Sequence, residues 1–173
     1  MIQDQYLPQA DVSKAYHITI ESDPSKIYPK LEYLDFSQSK LIYWLFKLRG
    51  IPVPSGMSMI GLRNMGFVLL EQRPPQALIL GLIGKFWTMH GSLQKFEPNE
   101  FTAKNWEDQA LATWSFELEA LSKSQTKLIT ETRVLCPNGR SRRKFRLYWL
   151  LIEPFSGWIR KEILKSIKRQ VEP

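Results

Sequence analysis

Glu131 and Arg133 stand two residues apart in the segment Thr126–Cys136, TKLITETRVLC. The segment reads as a strand, and strand side chains alternate between faces, so this carboxylate and this guanidinium share one. Inside a cavity the pair would orient a polar head group or close the pocket as an ion pair. Burial would then perturb the carboxylate, as happens at functional sites. On a wet surface the same pair is worth very little. The alternation leaves both readings open, because Leu128, Thr130, Thr132 and Val134 make the other, more apolar face. Histidine as a residue type suits proton transfer, so His17 and His90 are candidate acids or bases. No Ser or Cys nucleophile accompanies either in a recognisable arrangement, and an ordinary surface position accounts for both. Glu131 and His17 are the catalytic candidates, both weak. The single cysteine, Cys136, forbids an intrachain disulfide and reads as a small buried hydrophobe. With two histidines beside it, a Cys/His zinc site is not expected, nor any cofactor.

An apolar ligand would need walls. Trp114, Phe116 and Leu118 alternate along Gln109–Leu121, and Trp149, Ile152 and Phe155 follow in the C-terminal segment. These six line a cavity or fill a core; close packing favours the core in a generic fold.

The elements that must position them follow from periodicity. Ala15–Glu21 alternates with Tyr16, Ile18 and Ile20 on one face, a half-buried strand. Asp23-Pro24 caps a short helix over Ser25–Leu34, and a second runs from near Ser37 to Gly50. Residues 51–65 form a long loop whose Met57, Met59 and Met65 suit a ligand mouth or pack on the core. Phe67–Glu71 and Gln76–Gly84 flank the turn Arg73-Pro74-Pro75-Gln76 as a hairpin. One or two further strands are expected in Lys85–Trp106. Gln109–Leu121 and Thr126–Cys136 make a long antiparallel hairpin. Pro137-Asn138-Gly139 then launches a helix over 140–171. Residues 1–14 read as a loose lead-in to a single domain spanning 1–173.

The terminal helix carries the charge. Residues 140–172 hold ten Lys/Arg against Glu153, Glu162 and Glu172, and ten minus three is the +7 of the whole chain. Phe145, Trp149, Ile152, Phe155, Ile159, Ile163 and Ile167 recur at steps of three and four, one apolar stripe. A helix of this length needs a partner surface, and the strands before it supply one. Pro154 should kink or break it by removing the bond to the Leu150 carbonyl. No secretory signal or bilayer-spanning run is read, so a cytoplasmic protein is expected. Without a helix-turn-helix, zinc-finger or RNP-type signature, nucleic acid is not expected as a partner. Arg160, Lys161, Lys165, Lys168 and Arg169 fit weak contact with an anionic membrane better.

Runs of strands with segregated helices argue α+β, with an antiparallel sheet covered on one face. The order of elements over about residues 15–170 resembles the START-like, or SRPBCC, superfamily, which includes birch-pollen-allergen-type proteins, lipid-transfer domains and polyketide cyclase/dehydrase relatives. Thr130-Glu131-Thr132-Arg133-Val134 carries the resemblance, with Phe145, Arg146, Tyr148, Trp149, Ile152, Pro154, Phe155, Ser156, Ile159 and Arg160. These residues look like an uncharacterised bacterial branch. The resemblance implies a helix-grip fold, six or seven strands curved around the terminal helix, with two short helices after the first strand. It also implies a cavity between sheet and helix for a hydrophobic or amphipathic small molecule, held by a carrier or sensor. Trp114, Phe116, Leu118, Trp149, Ile152 and Phe155 would then be its walls and Glu131 and Arg133 its polar anchor. A cyclase/dehydratase-like enzyme using Glu131 or His17 is the alternative, and a membrane- or partner-binding module is a third.

Overall fold

A computed structural model describes residues 1–32, 62–63, 66–88 and 92–172. Five strands form one antiparallel sheet: β1 (Val12–Ile20), β2 (Val68–Arg73), β3 (Ala77–Gly84), β4 (Ala110–Ala120) and β5 (Thr126–Leu135). Their spatial order is β1-β5-β4-β3-β2. Each hairpin places neighbours in sequence side by side, and β1 then pairs with β5, with Ala15 opposite Glu131 and Tyr16 opposite Thr130. In the central hairpin Thr113 lies opposite Arg133 and Ser115 opposite Glu131. The strands expected in Lys85–Trp106 do not form among the described residues there. That segment instead holds the short helix α2 (Glu100–Ala103), and the described residues supply five strands to the sheet, not the six or seven expected.

Helix α1 (Pro24–Glu32) follows β1 as expected. The helix expected from Ser37 to Gly50 lies outside the described residues, as do His90, Met57, Met59 and Met65. Helix α3 runs from Gly139 to Val171, about 50 Å at 1.5 Å per residue. The Asn138 side chain caps it by accepting the Ser141 N–H at 2.8 Å. Pro154 does not break α3 into two helices.

Both faces of the sheet are buried, not one. On the α3 side, Ile20, Leu78, Phe116, Leu118 and Leu128 pack with α1 and with Ile163, Leu164 and Ile167. On the other side, Ile79, Ile83 and Leu111 pack against Phe96, Phe101 and Trp106, and against Ile2 and Leu7. Residues 1–14 are therefore no loose lead-in: Ile2–Gln5 is a 3-10 turn, Gln3 is fully buried, and β1 begins at Val12. The reason is a polar row on the outer face of β4 and β5 that only a polar segment can cover. Gln3 Nε2 donates to Ser115 Oγ at 2.8 Å and to the Glu131 carbonyl at 2.7 Å, and the Thr113 hydroxyl donates back to Gln3 Oε1. Helix α3 lies chiefly along β1, with less contact to β5 and β4.

Candidate functional site

Tyr16, Trp114, Phe116, Thr130 and Thr132 face α3 from the sheet. Across from them, the buried face of α3 is not apolar throughout. A helix advances about 3.6 residues per turn, so seven residues beyond Trp149 the inward position is Ser156, and four further it is Arg160. Arg160 reaches across the interface. Its Nε and Nη2 donate to Thr132 Oγ1 at 2.9 and 2.6 Å, and its Nη1 donates to the Ser156 carbonyl at 2.8 Å and to the Ser156 hydroxyl. The guanidinium carbon lies 6.0 Å from the centre of the Trp114 ring, at cation–π range.

Trp114 is the hub. It is half-buried in the middle of a central strand, and its indole N–H donates to Thr130 Oγ1 at 2.8 Å. Thr130 in turn donates to the Ser115 carbonyl at 3.0 Å. Phe116 sits 5.1 Å and Phe67 6.0 Å from the indole centre. The result is an aromatic wall with a cation and two hydroxyls on one side. The sequence placed Arg160 among the cations of an anionic-membrane contact; the signal for its inward position was the Ser156–Arg160 pair at one-turn spacing.

Close helix–sheet approach depends on Gly157. A β-carbon built there would fall well inside van der Waals distance of the Tyr16 hydroxyl. Gly157 therefore lets the Tyr16 ring stand beneath α3, one turn from Arg160.

The other expected site residues go elsewhere. Leu118 lies in the packed core with Ile20 and Leu128. Trp149 and Ile152 pack with Phe145, Val134, Cys136 and Phe86 in a filled cluster near the start of α3. Phe155 is 39 % exposed and turns away from the sheet. The stripe drifts there, because two successive steps of three, from Trp149 to Ile152 to Phe155, each fall about 60° short of a full turn, while Ser156 keeps close to the direction of Trp149.

Glu131 and Arg133 are both buried, but on the face opposite α3. Arg133 Nε donates to Glu131 Oε1 at 2.8 Å, and Ser13 Oγ donates to the same oxygen at 2.7 Å. Arg133 Nη1 reaches Asp4 Oδ1 at 2.7 Å and the Leu7 carbonyl at 3.0 Å. Burial alone would lower the Arg133 pKa, yet the hydrogen bonds it donates to Glu131 and Asp4 hold it above its usual value. The N-terminal ammonium, then Arg133, hold Asp4 below the ordinary carboxylate range. This network clamps residues 2–7 to the sheet, and its groups are spent on one another. His17 is exposed on β1, on the same side as Glu131. Cys136 is fully buried, and burial with Asp11 nearby pushes its thiol up to about 12. A shallow cleft of about 200 Å³ between Tyr6, Phe101, Trp106 and Leu135 also opens on this outer side. Among the described residues, no cluster of His, Cys, Asp and Glu is arranged to hold a metal ion.

No family model and no curated protein matches the chain. Solved structures align over most of its length at low similarity. A conserved protein of Geobacillus kaustophilus is 11 % identical, covers 92 % of this chain and 95 % of its own, with a TM-score of 0.45. The Zhui aromatase/cyclase of a Streptomyces species is 11 % identical, covering 93 % of this chain and 96 % of its own, at 0.35. A hypothetical protein of Helicobacter pylori is 10 % identical over 81 % of this chain and 79 % of its own, at 0.32. Scores this low carry no argument; the architecture rests on this chain's own strand order and register.

Proposed function

We propose that the half-buried patch around Trp114, between α3 and the sheet, binds a small molecule with an apolar body and a polar head, as a carrier or sensor. The observation that carries this reading is Trp114: a half-buried indole at the centre of the sheet, with Arg160 over its face and Phe67 and Phe116 beside it. Ligand sites combine apolar walls with a few placed polar groups. A guanidinium already positioned by Thr132 and Ser156 donates charge-assisted hydrogen bonds to an acceptor head at little ordering cost. Glu131 and Arg133 serve the N-terminal clamp instead of the ligand. A cyclase- or dehydratase-like reaction would need a proton carrier other than Glu131 or His17, since both lie on the far face.

Native mass spectrometry of the protein as purified from cells, followed by organic extraction, tests the reading. A retained amphipathic species in the wild type, depleted in Arg160→Gln and Trp114→Leu, is expected. An apo mass for the wild type, or equal retention in all three, argues against it.

A further inference from the structure

The face of α3 turned away from the sheet is apolar in its middle. Leu147, Leu150 and Leu151 are 69 %, 70 % and 74 % exposed, and Trp158 is 53 % exposed. With Phe155 they fall at steps of three and four along one side of the helix, about three turns of it. Isolated exposed apolar residues are ordinary, but a contiguous row of five marks an interaction surface.

Both ends of the same face are cationic. Arg140, Arg143 and Lys144 precede the row and Lys165 follows it, and all four are exposed; Lys161 is exposed too, but its Nζ bends back to lie 5.5 Å from the centre of the Tyr16 ring. Among the described residues, Arg140, Arg143, Lys144 and Lys165 have no carboxylate at ion-pair distance. The acid on this face, Glu162, is held by Arg169 at 2.8 Å. Two cations assigned to a membrane contact by sequence do not belong to it. Arg160 turns inward to Thr132, and Lys168 Nζ donates to the Thr19 carbonyl at 2.8 Å.

We infer that this outward face of α3 docks in the headgroup region of an anionic lipid bilayer, lying in its plane. The two components need different things from a partner, and an anionic bilayer supplies both: apolar depth for the leucines and Trp158, and negative charge for the flanks. Nucleic acid would leave the apolar row against phosphates. A second copy related by a two-fold axis would bring the cationic ends together, which like charge opposes. The helix does not cross the membrane, for no described helix is long and apolar enough. The inference stands on the outer face of α3 and does not depend on what its inner face binds.

Flotation of the full chain tests it, with phosphatidylcholine vesicles lacking or containing phosphatidylglycerol, at low and high salt. Wild-type protein should float with the anionic vesicles at low salt, and at least about tenfold less with neutral vesicles or at high salt. Leu147→Ser/Leu151→Ser/Trp158→Ser should reduce binding at least about tenfold without lowering the thermal midpoint. Arg140→Gln/Arg143→Gln/Lys144→Gln/Lys165→Gln should reduce it similarly. Any of four results overturns the inference: no flotation of the wild type at low salt; the apolar variant floating like the wild type; a wild-type dimer that the apolar variant dissociates, without vesicle binding; or a large stability loss in the apolar variant, which would mean the chain itself covers the row.

Discussion

Replacing Arg133 with methionine should destabilise the fold severely, and the size of the effect follows from what it leaves behind. Glu131 is 2 % exposed, and its two carboxylate oxygens take hydrogen bonds from Arg133 and Ser13. Arg133→Met strands a buried carboxylate with one hydroxyl donor, and breaking a buried ion pair in this way costs about 3–5 kcal/mol. It also frees the Leu7 carbonyl and Asp4, loosening residues 2–7. Against a total stability of about 5–15 kcal/mol, that is about a fifth or more, or about 6–20 °C in Tm for a chain of this size. The double variant Glu131→Leu/Arg133→Met removes both charges together. Hydrophobic replacement of a buried pair is close to neutral, so most of the loss should return, leaving about 1–2 kcal/mol for the lost anchors. Urea unfolding followed by far-UV circular dichroism, with slopes compared, reads both values. A single variant costing under about 1 kcal/mol, or a double variant worse than the single, would refute the reasoning.

Gly157→Ala should lose stability through overpacking on Tyr16, about 1–3 kcal/mol, set against the gain of about 1 kcal/mol from replacing a helical glycine. In a Tyr16→Ala background only the gain should remain, so an equal effect in both backgrounds by denaturation would contradict the close approach. Cys136 should react with a thiol reagent at about pH 8 only on unfolding, and fast labelling of the native protein would oppose its burial and raised pKa. Burial, then the hydrogen bond to Glu71, raise Tyr6 from 10.0 to about 12. The neutral phenol is thus the folded form's preference; its contribution is complete below pH 10 and is lost as pH rises towards about 12. Tyr6→Phe should flatten that part of the wild-type stability profile, and an unchanged slope would count against it.

The sheet was legible where alternation was long and clean. β4 and β5 carry enough residues for a period of two to stand out, and Asn138-Gly139 marks the start of α3 plainly. The covered outer face was not. Four residues of 3-10 turn carry no period, and the polar cover shows only once the register sets Thr113 and Ser115 beside Arg133 and Glu131. That same row made Glu131 and Arg133 look like a ligand anchor, because a sequence fixes that they share a face but not what covers it. Arg160 was hidden for the converse reason: a basic residue among others reads as solvated, and only helical phase puts it over Trp114. Hydrophobic periodicity likewise drew Phe155 inward, because it could not register that the two inward positions nearby are polar.

The claim that the patch around Trp114, with Arg160 at its head, is the binding site is tested most directly by calorimetric titration of laurate, a simple chain with a carboxylate head. It should bind the wild type about 10–100-fold more tightly than Arg160→Gln, the worth of a charge-assisted hydrogen bond, and bind Glu131→Leu/Arg133→Met like the wild type. Equal affinity for wild type and Arg160→Gln, or binding lost only in the Glu131/Arg133 variant, would contradict it and return the site to the outer face.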